Sequence, residues 1–210
     1  MMKEQTKIRL SVLEQELVSD AGWILTKNTI IEKIKLLLEQ IHTRQQEILP
    51  AYAEALPQEI LTVPPKISRG ENYKGLPWLI LDYPRIFTQN DVFAIRTMFW
   101  WGKFFSCTLH LAGAYKEMLE KKIMASFDTL RADEFFVCVN TGQWEHDFEE
   151  KNFLPVARFT EKEFEELIKS KAFIKLSKTS AIGQWEDSIE ILAEVFRQYI
   201  IMVSDQFPRR

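Results

Sequence analysis

The sequence predicts an α+β fold: an N-terminal helical hairpin followed by a mainly antiparallel four- to five-stranded sheet covered by helices. Three observations carry this. Apolar residues recur at spacings of three and four through the first fifty or so positions, the spacing turns to two between Trp78 and Leu111, and helical spacing returns in the last third. A chain of 210 residues can bury about 70% of its unfolded surface, enough for one core. Residues 1–210 therefore read as a single domain, with the hairpin over 1–56, an irregular loop over 57–77, and the sheet with its covering helices over 78–210.

The first helix, from Ile8 to Leu17, places Leu10, Leu13 and Leu17 on one stripe, and Asp20-Ala21-Gly22 punctuates it. A second helix opens at Thr29 and Glu32, spaced as a capping box. It continues through Ile34, Leu37, Leu38, Ile41 and Ile48 and stops before Pro50 or Pro57. The stretch from Pro57 to Pro77, with Pro64, Pro65, Gly70 and Gly75, reads as a binding loop or a linker. Its side chains Ile60, Ile67 and Tyr73 favour a loop that folds back as a lid.

Period-two patterning then marks strands at Trp78 to Leu81, at Val92 to Trp100 and Lys103 to Leu111 around a Trp101-Gly102 turn, and at Glu134 to Asn140. Helical spacing covers Ala114 to Leu130. A Thr160/Glu163 capping box starts another helix, Ala172 to Leu176 suits a further strand, and Ile189, Leu192, Phe196, Ile200 and Val203 stripe a long last helix. Gly-Gln-Trp-Glu occurs at Gly142 and again at Gly183, two copies where a solenoid needs about three.

Composition narrows the function classes. With 46% hydrophobic and 27% charged residues the chain is of globular type, and a net charge of −3 with a pI near 5.8 argues against a nucleic-acid partner. No apolar run approaches the 18 residues of a membrane span, and the charged start Met1 to Lys7 lacks a secretory apolar core. Cys107 and Cys138 sit in apolar runs as buried thiols, so the chain reads as cytoplasmic. It has no glycine-rich phosphate loop and no His-Glu-x-x-His, so neither cofactor nor metal is expected. His146 and Glu150 would share a helix face, but further ligands are missing, and the segment Glu145 to Glu150 reads as an acidic solvated turn.

The candidate site is the middle of the chain. Ten of 26 aromatic residues fall between Tyr73 and Phe105, and residues 66–103 carry six Lys or Arg against three Asp or Glu. Interleaved rings and guanidinium groups suit an anionic small molecule or a protein partner. The residues expected to engage it are Arg69, Glu71, Asn72, Tyr73, Lys74, Trp78, Asp82, Arg85, Arg96 and His110. Arg96 shares its strand face with Val92, Ala94, Met98 and Trp100, so its charge needs a partner, either a carboxylate such as Asp82 or Glu71 or a ligand anion. The alternative class is an enzyme using Glu71, Tyr73, Asp82 or His110 in acid–base work beside an Arg-bound substrate. Strand geometry keeps His110 apart from both Cys107 and Ser106. The hairpin tip at Trp100, Trp101 and Phe104 is the place expected for a homo-oligomer contact.

Overall fold

The computed structural model describes residues 8–204. The chain divides into two compact units, one ending at Leu36 and the other starting at Leu37. In the first, helix α1 (Val12–Ser19) is capped by Ser11, whose hydroxyl accepts from the Glu14 N–H while the Glu14 carboxylate accepts from the Ser11 N–H at 2.7 Å. Helix α2 (Ala21–Ile48) begins eight residues earlier than expected. Asp20 Oδ1 accepts from the Gly22 N–H at 2.9 Å and so serves as the cap assigned to Thr29, whose hydroxyl instead bonds back to the Leu25 carbonyl. The α1 stripe is in water: the helix buries none of its residues, and Leu10, Leu13 and Leu17 are exposed.

In the second unit a seven-stranded sheet runs β1 (Lys66–Tyr73), β2 (Leu76–Phe87), β3 (Val92–Trp100), β4 (Phe104–Ala112), β5 (Phe136–Cys138), β6 (Phe153–Pro155) and β7 (Phe173–Ser180). The spatial order is β1-β2-β3-β4-β7-β5-β6, and every pairing is antiparallel. Two or three more strands are present than the sequence led us to expect. The expected loop over 57–77 is structured: it holds the short helix α3 (Gln58–Thr62) and the whole of β1. Pro64 and Pro65 lie before that strand. Because β1 is an edge strand, half of its residues face water, and its polar sequence resembles a loop.

Odd-numbered residues of β3 and β4 form the helix-covered face. Phe93 packs on Tyr115 of α4 (Ala114–Ala125), and Tyr83 of β2 stacks on Phe196 of α7 (Ser188–Ser204). Tyr199 donates from its hydroxyl toward the Cys107 and Leu176 carbonyls at 3.0 and 2.8 Å, so the last helix is fixed to β4 and β7. The remaining helices are α5 (Phe127–Ala132) and α6 (Glu161–Ser170), the latter opened by the expected Thr160/Glu163 box. No helix among the described residues is long and apolar enough to cross a membrane.

Candidate functional site

The opposite face of the sheet carries polar residues between two apolar clusters, one with Val92, Ala94 and Phe153 and one with Ile80, Met98 and Trp100, and it too is covered. Register places Lys66, Asp82, Arg96, Thr108 and Ser177 in one row across β1, β2, β3, β4 and β7, with His110 opposite Lys175 in the row beside it. Asp82, Thr108, His110, Lys175 and Ser177 are all buried. Buried polar groups need partners. Arg96 meets Asp82 through two parallel bonds, Nε to Oδ1 at 2.7 Å and Nη2 to Oδ2 at 2.9 Å, and Thr108 and Ser177 share a hydroxyl bond at 2.7 Å.

The cover is the segment 139–152, which includes Glu145 to Glu150, the stretch expected as an acidic solvated turn. It lacks a strand partner for much of its length, and side chains from the sheet and from the turn before β7 satisfy its backbone instead. Lys171 Nζ donates to the carbonyls of Val139 and Asn140, and Lys175 Nζ to those of Gln143 and Glu145. The Tyr73 hydroxyl accepts from the amides of His146 and Asp147 and lies 3.0 Å from Asp147 Oδ2. Lys74 closes the rim through Asp147 at 2.9 Å and Glu149 at 2.6 Å. Burial pushes the Asp147 carboxyl up, but Lys74, Asn152, the Glu149 amide and Tyr73 outweigh it and bring it to about 2. Burial, with some repulsion from Arg96, lowers Lys175 to about 8 in spite of Cys138, Glu145 and Asp147.

Between this cover and strands β1 to β3 lies a cavity of about 430 Å³. From β1 and its turn come Lys66, Ser68, Asn72 and Tyr73; from β2, Trp78, Ile80 and Asp82; from β3, Arg96 and Met98; from the cover, Trp144 and His146. Trp78 is laid flat by its cross-strand partner Gly70, where an added Cβ would come within 2.6 Å of the indole. Replacing Gly70 with Ala is accordingly expected to displace that ring and cost about 1–3 kcal/mol. Urea unfolding together with tryptophan emission checks this, and an unchanged midpoint and spectrum would count against it.

Arg96 Nη1 lies 3.1 Å from His146 Nε2. A guanidinium only donates, so Nε2 accepts and the imidazole proton sits on Nδ1, which has no acceptor among the described residues. Burial first, then the charges of Lys175 and Arg96, lowers His146 to about 2, and it stays neutral. Lys66 is exposed at the mouth and pairs with no carboxylate among the described residues. With Asp82 and Arg96 cancelling, the lining carries a net charge of +1.

Of the ten residues expected at a site, Asn72, Tyr73, Trp78, Asp82 and Arg96 line the cavity. The others do not. Arg69 stands opposite Leu79 on the other side of the edge strand, Glu71 is exposed on β1, and Lys74 belongs to the rim. Arg85 Nε donates to the Pro64 carbonyl at 3.1 Å, and His110 is held by Gln143 beneath the cover and faces the ring of Trp144. Six lining residues are additions, of which Lys66, Trp144 and His146 bring a charge, an indole and an imidazole, beside Ser68, Ile80 and Met98. The signals of Lys66, Trp144 and His146 were in the sequence, a cation counted in the basic stretch and a Trp-Glu-His run, but nothing local ties residue 144 to residue 66. His146 and Glu150 are apart as well, since Glu150 pairs with Arg158, and among the described residues no three His, Cys, Asp or Glu converge as metal ligands would.

At the hairpin tip, Trp100 is buried, with its Nε1 donating to the Tyr73 carbonyl, and Phe104 packs between Trp100 and Phe148. Of the three rings, Trp101 and Phe104 are half-buried. The two Gly-Gln-Trp-Glu copies differ in structure: the first belongs to the irregular cover, the second to a 3-10 turn (Ile182–Asp187) whose Trp185 packs on Phe105. A larger groove of about 830 Å³ beside Pro50 to Gln58 holds only Tyr52 and Glu54 as ionisable side chains, neither fully buried. Compared with known proteins, the chain matches no family model, no curated protein and no solved structure.

Proposed function

We propose that the cavity between the cover and strands β1 to β3 binds a small planar organic anion, with an aromatic carboxylate as its model chemistry. One observation carries this reading: two side chains with a donor left unmatched, Lys66 and His146, line one hollow together with the indoles of Trp78 and Trp144. The volume of about 430 Å³ is in the range of small-ligand sites and has room for one or two fused rings. The indoles offer faces for a planar ligand and the donors fix its anionic end. Arg96 serves the site by holding His146 in its tautomer, since its own charge is matched by Asp82.

Binding is favoured over acid–base catalysis because the candidate bases are engaged or lie elsewhere. Asp82 has both oxygens on Arg96, the Tyr73 hydroxyl is held by the cover, His110 is turned to Gln143, and Glu71 is outside the lining. Calorimetric titration with benzoate and indole-3-carboxylate, and with the corresponding carboxamides, tests the reading. The acids are expected to bind and the amides to bind at least tenfold more weakly. Lys66→Gln is expected to cost the acids about 10- to 100-fold, the worth of one charge-assisted hydrogen bond. Equal affinity for acids and amides, no binding of either acid, or full acid affinity in Lys66→Gln would overturn it.

A further inference from the structure

Residues 8–36 expose the kind of side chain that the rest of the described residues bury. Of fourteen exposed large hydrophobic residues among those described, ten fall between Ile8 and Leu36. From residue 8 to residue 29 every position except Lys27 is exposed. Helix α1 has eight residues and no buried side chain, although isolated helices shorter than about 12–15 residues are marginal in water. Monomers rarely carry apolar patches beyond roughly 300–600 Å². Ten large side chains, the least exposed at 43%, present on the order of 1,000 Å², more than the roughly 800 Å² each partner gives up in a stable standard-sized interface.

The pattern also says what kind of surface fits. Leu10, Leu13 and Leu17 form one stripe on and just before α1, whereas Trp23, Ile24 and Leu25 are consecutive and point to three sides of α2. A flat surface cannot cover three sides of a helix; a pair of helices can. Charge selects the pair. Residues 8–20 carry Arg9 against Glu14, Glu16 and Asp20, a net −2, and residues 21–36 carry Lys27, Lys33 and Lys35 against Glu32, a net +2. A second copy offers both an apolar helix pair and the opposite charge for each helix, related by a two-fold axis. An anionic bilayer surface would select a cationic rim around the apolar stripe, and the net −2 of the α1 region opposes it.

We infer that this arm is a homodimerisation element in which α1 of one chain packs on the first half of α2 of another. The inference is independent of the ligand cavity. Sedimentation velocity on the full chain across 1–100 µM tests it. A dimer is expected for the native sequence, and Leu13→Glu with Leu17→Glu should raise its dissociation constant at least 100-fold with an unchanged circular dichroism spectrum in the second unit's sheet region. Glu16→Lys, which leaves the Ser11/Glu14 cap of α1 intact, should weaken the dimer about fivefold, and adding Lys33→Glu should restore it. A monomer at every concentration overturns the proposal. So does a dimer indifferent to both sets of substitutions, or a monomer that floats with vesicles of phosphatidylcholine and phosphatidylserine.

Discussion

Lowering the pH from 6.5 to about 4.5 is expected to remove roughly 5 kcal/mol of stability through His110 and His146 alone. In the unfolded chain both imidazoles take up a proton as the pH falls through about 6.5. In the fold they hold out to about 3 and about 2. Burial is the first cause for both, followed by the charge of Lys175, with Arg96 adding to each and the Gln143 bond opposing at His110. The unfolded state thus binds more protons throughout this window, so the stabilisation is complete above pH 6.5 and declines below it by about 1.4 kcal/mol per pH unit for each histidine. Asp147, held at about 2, contributes its own loss only below about pH 4. Urea unfolding at half-unit pH intervals should therefore show a steep limb between 6.5 and 4.5. The double variant His110→Gln, His146→Gln should flatten it, leaving the share of His42, which burial also lowers. A native limb as flat as the variant's would contradict the buried, neutral imidazoles.

The second large effect concerns the ion pair. Arg96→Met leaves the buried Asp82 carboxylate without its cation and frees the imidazole of His146, and is expected to destabilise the fold by about 3–5 kcal/mol. Adding Asp82→Asn should recover most of that, because a pair replaced on both sides leaves no uncompensated charge. Chemical denaturation of the wild type, both single variants and the double variant gives the coupling energy. Additive losses would mean that the two side chains act separately.

These two effects also mark what the sequence made legible. Period two placed Arg96 among Val92, Ala94, Met98 and Trp100, and from that alone a counter-charge was required, with Asp82 named as one candidate. The β3–β4 hairpin, the Thr160 cap and the stripe of α7 were readable for the same reason: each is a local pattern with a period or a fixed spacing. What was not legible depends on distant partners. β1 hides as a loop because an edge strand needs few apolar residues and because Gly70 answers to the indole of Trp78 across the ladder. The start of α2 was missed because a single Asp20 cap outweighs the stronger-looking Thr29/Glu32 pattern.

The cover over 139–152 was hardest to foresee. Within it, Glu145 to Glu150 read as an acidic solvated turn, yet Asp147 is buried, as is Asn152 just beyond that stretch. The clue lay thirty residues on: Lys175, set between Ile174 and Leu176 in an apolar strand, must find acceptors inside the fold, and it finds them in the carbonyls of Gln143 and Glu145. A lysine in a buried strand therefore points to a backbone segment lying across it. Because that segment carries Trp144 and His146 over the strands, the cavity exists only through contacts far apart in sequence.

Labelling the indole nitrogens with ¹⁵N and titrating the protein with indole-3-carboxylate tests the central claim most directly. The account predicts that the Trp78 and Trp144 resonances move together and saturate, that those of Trp23, Trp101 and Trp185 stay still, and that Lys66→Gln abolishes the movement. Saturating shifts confined to other indoles, or shifts of Trp78 and Trp144 that Lys66→Gln leaves intact, would contradict it.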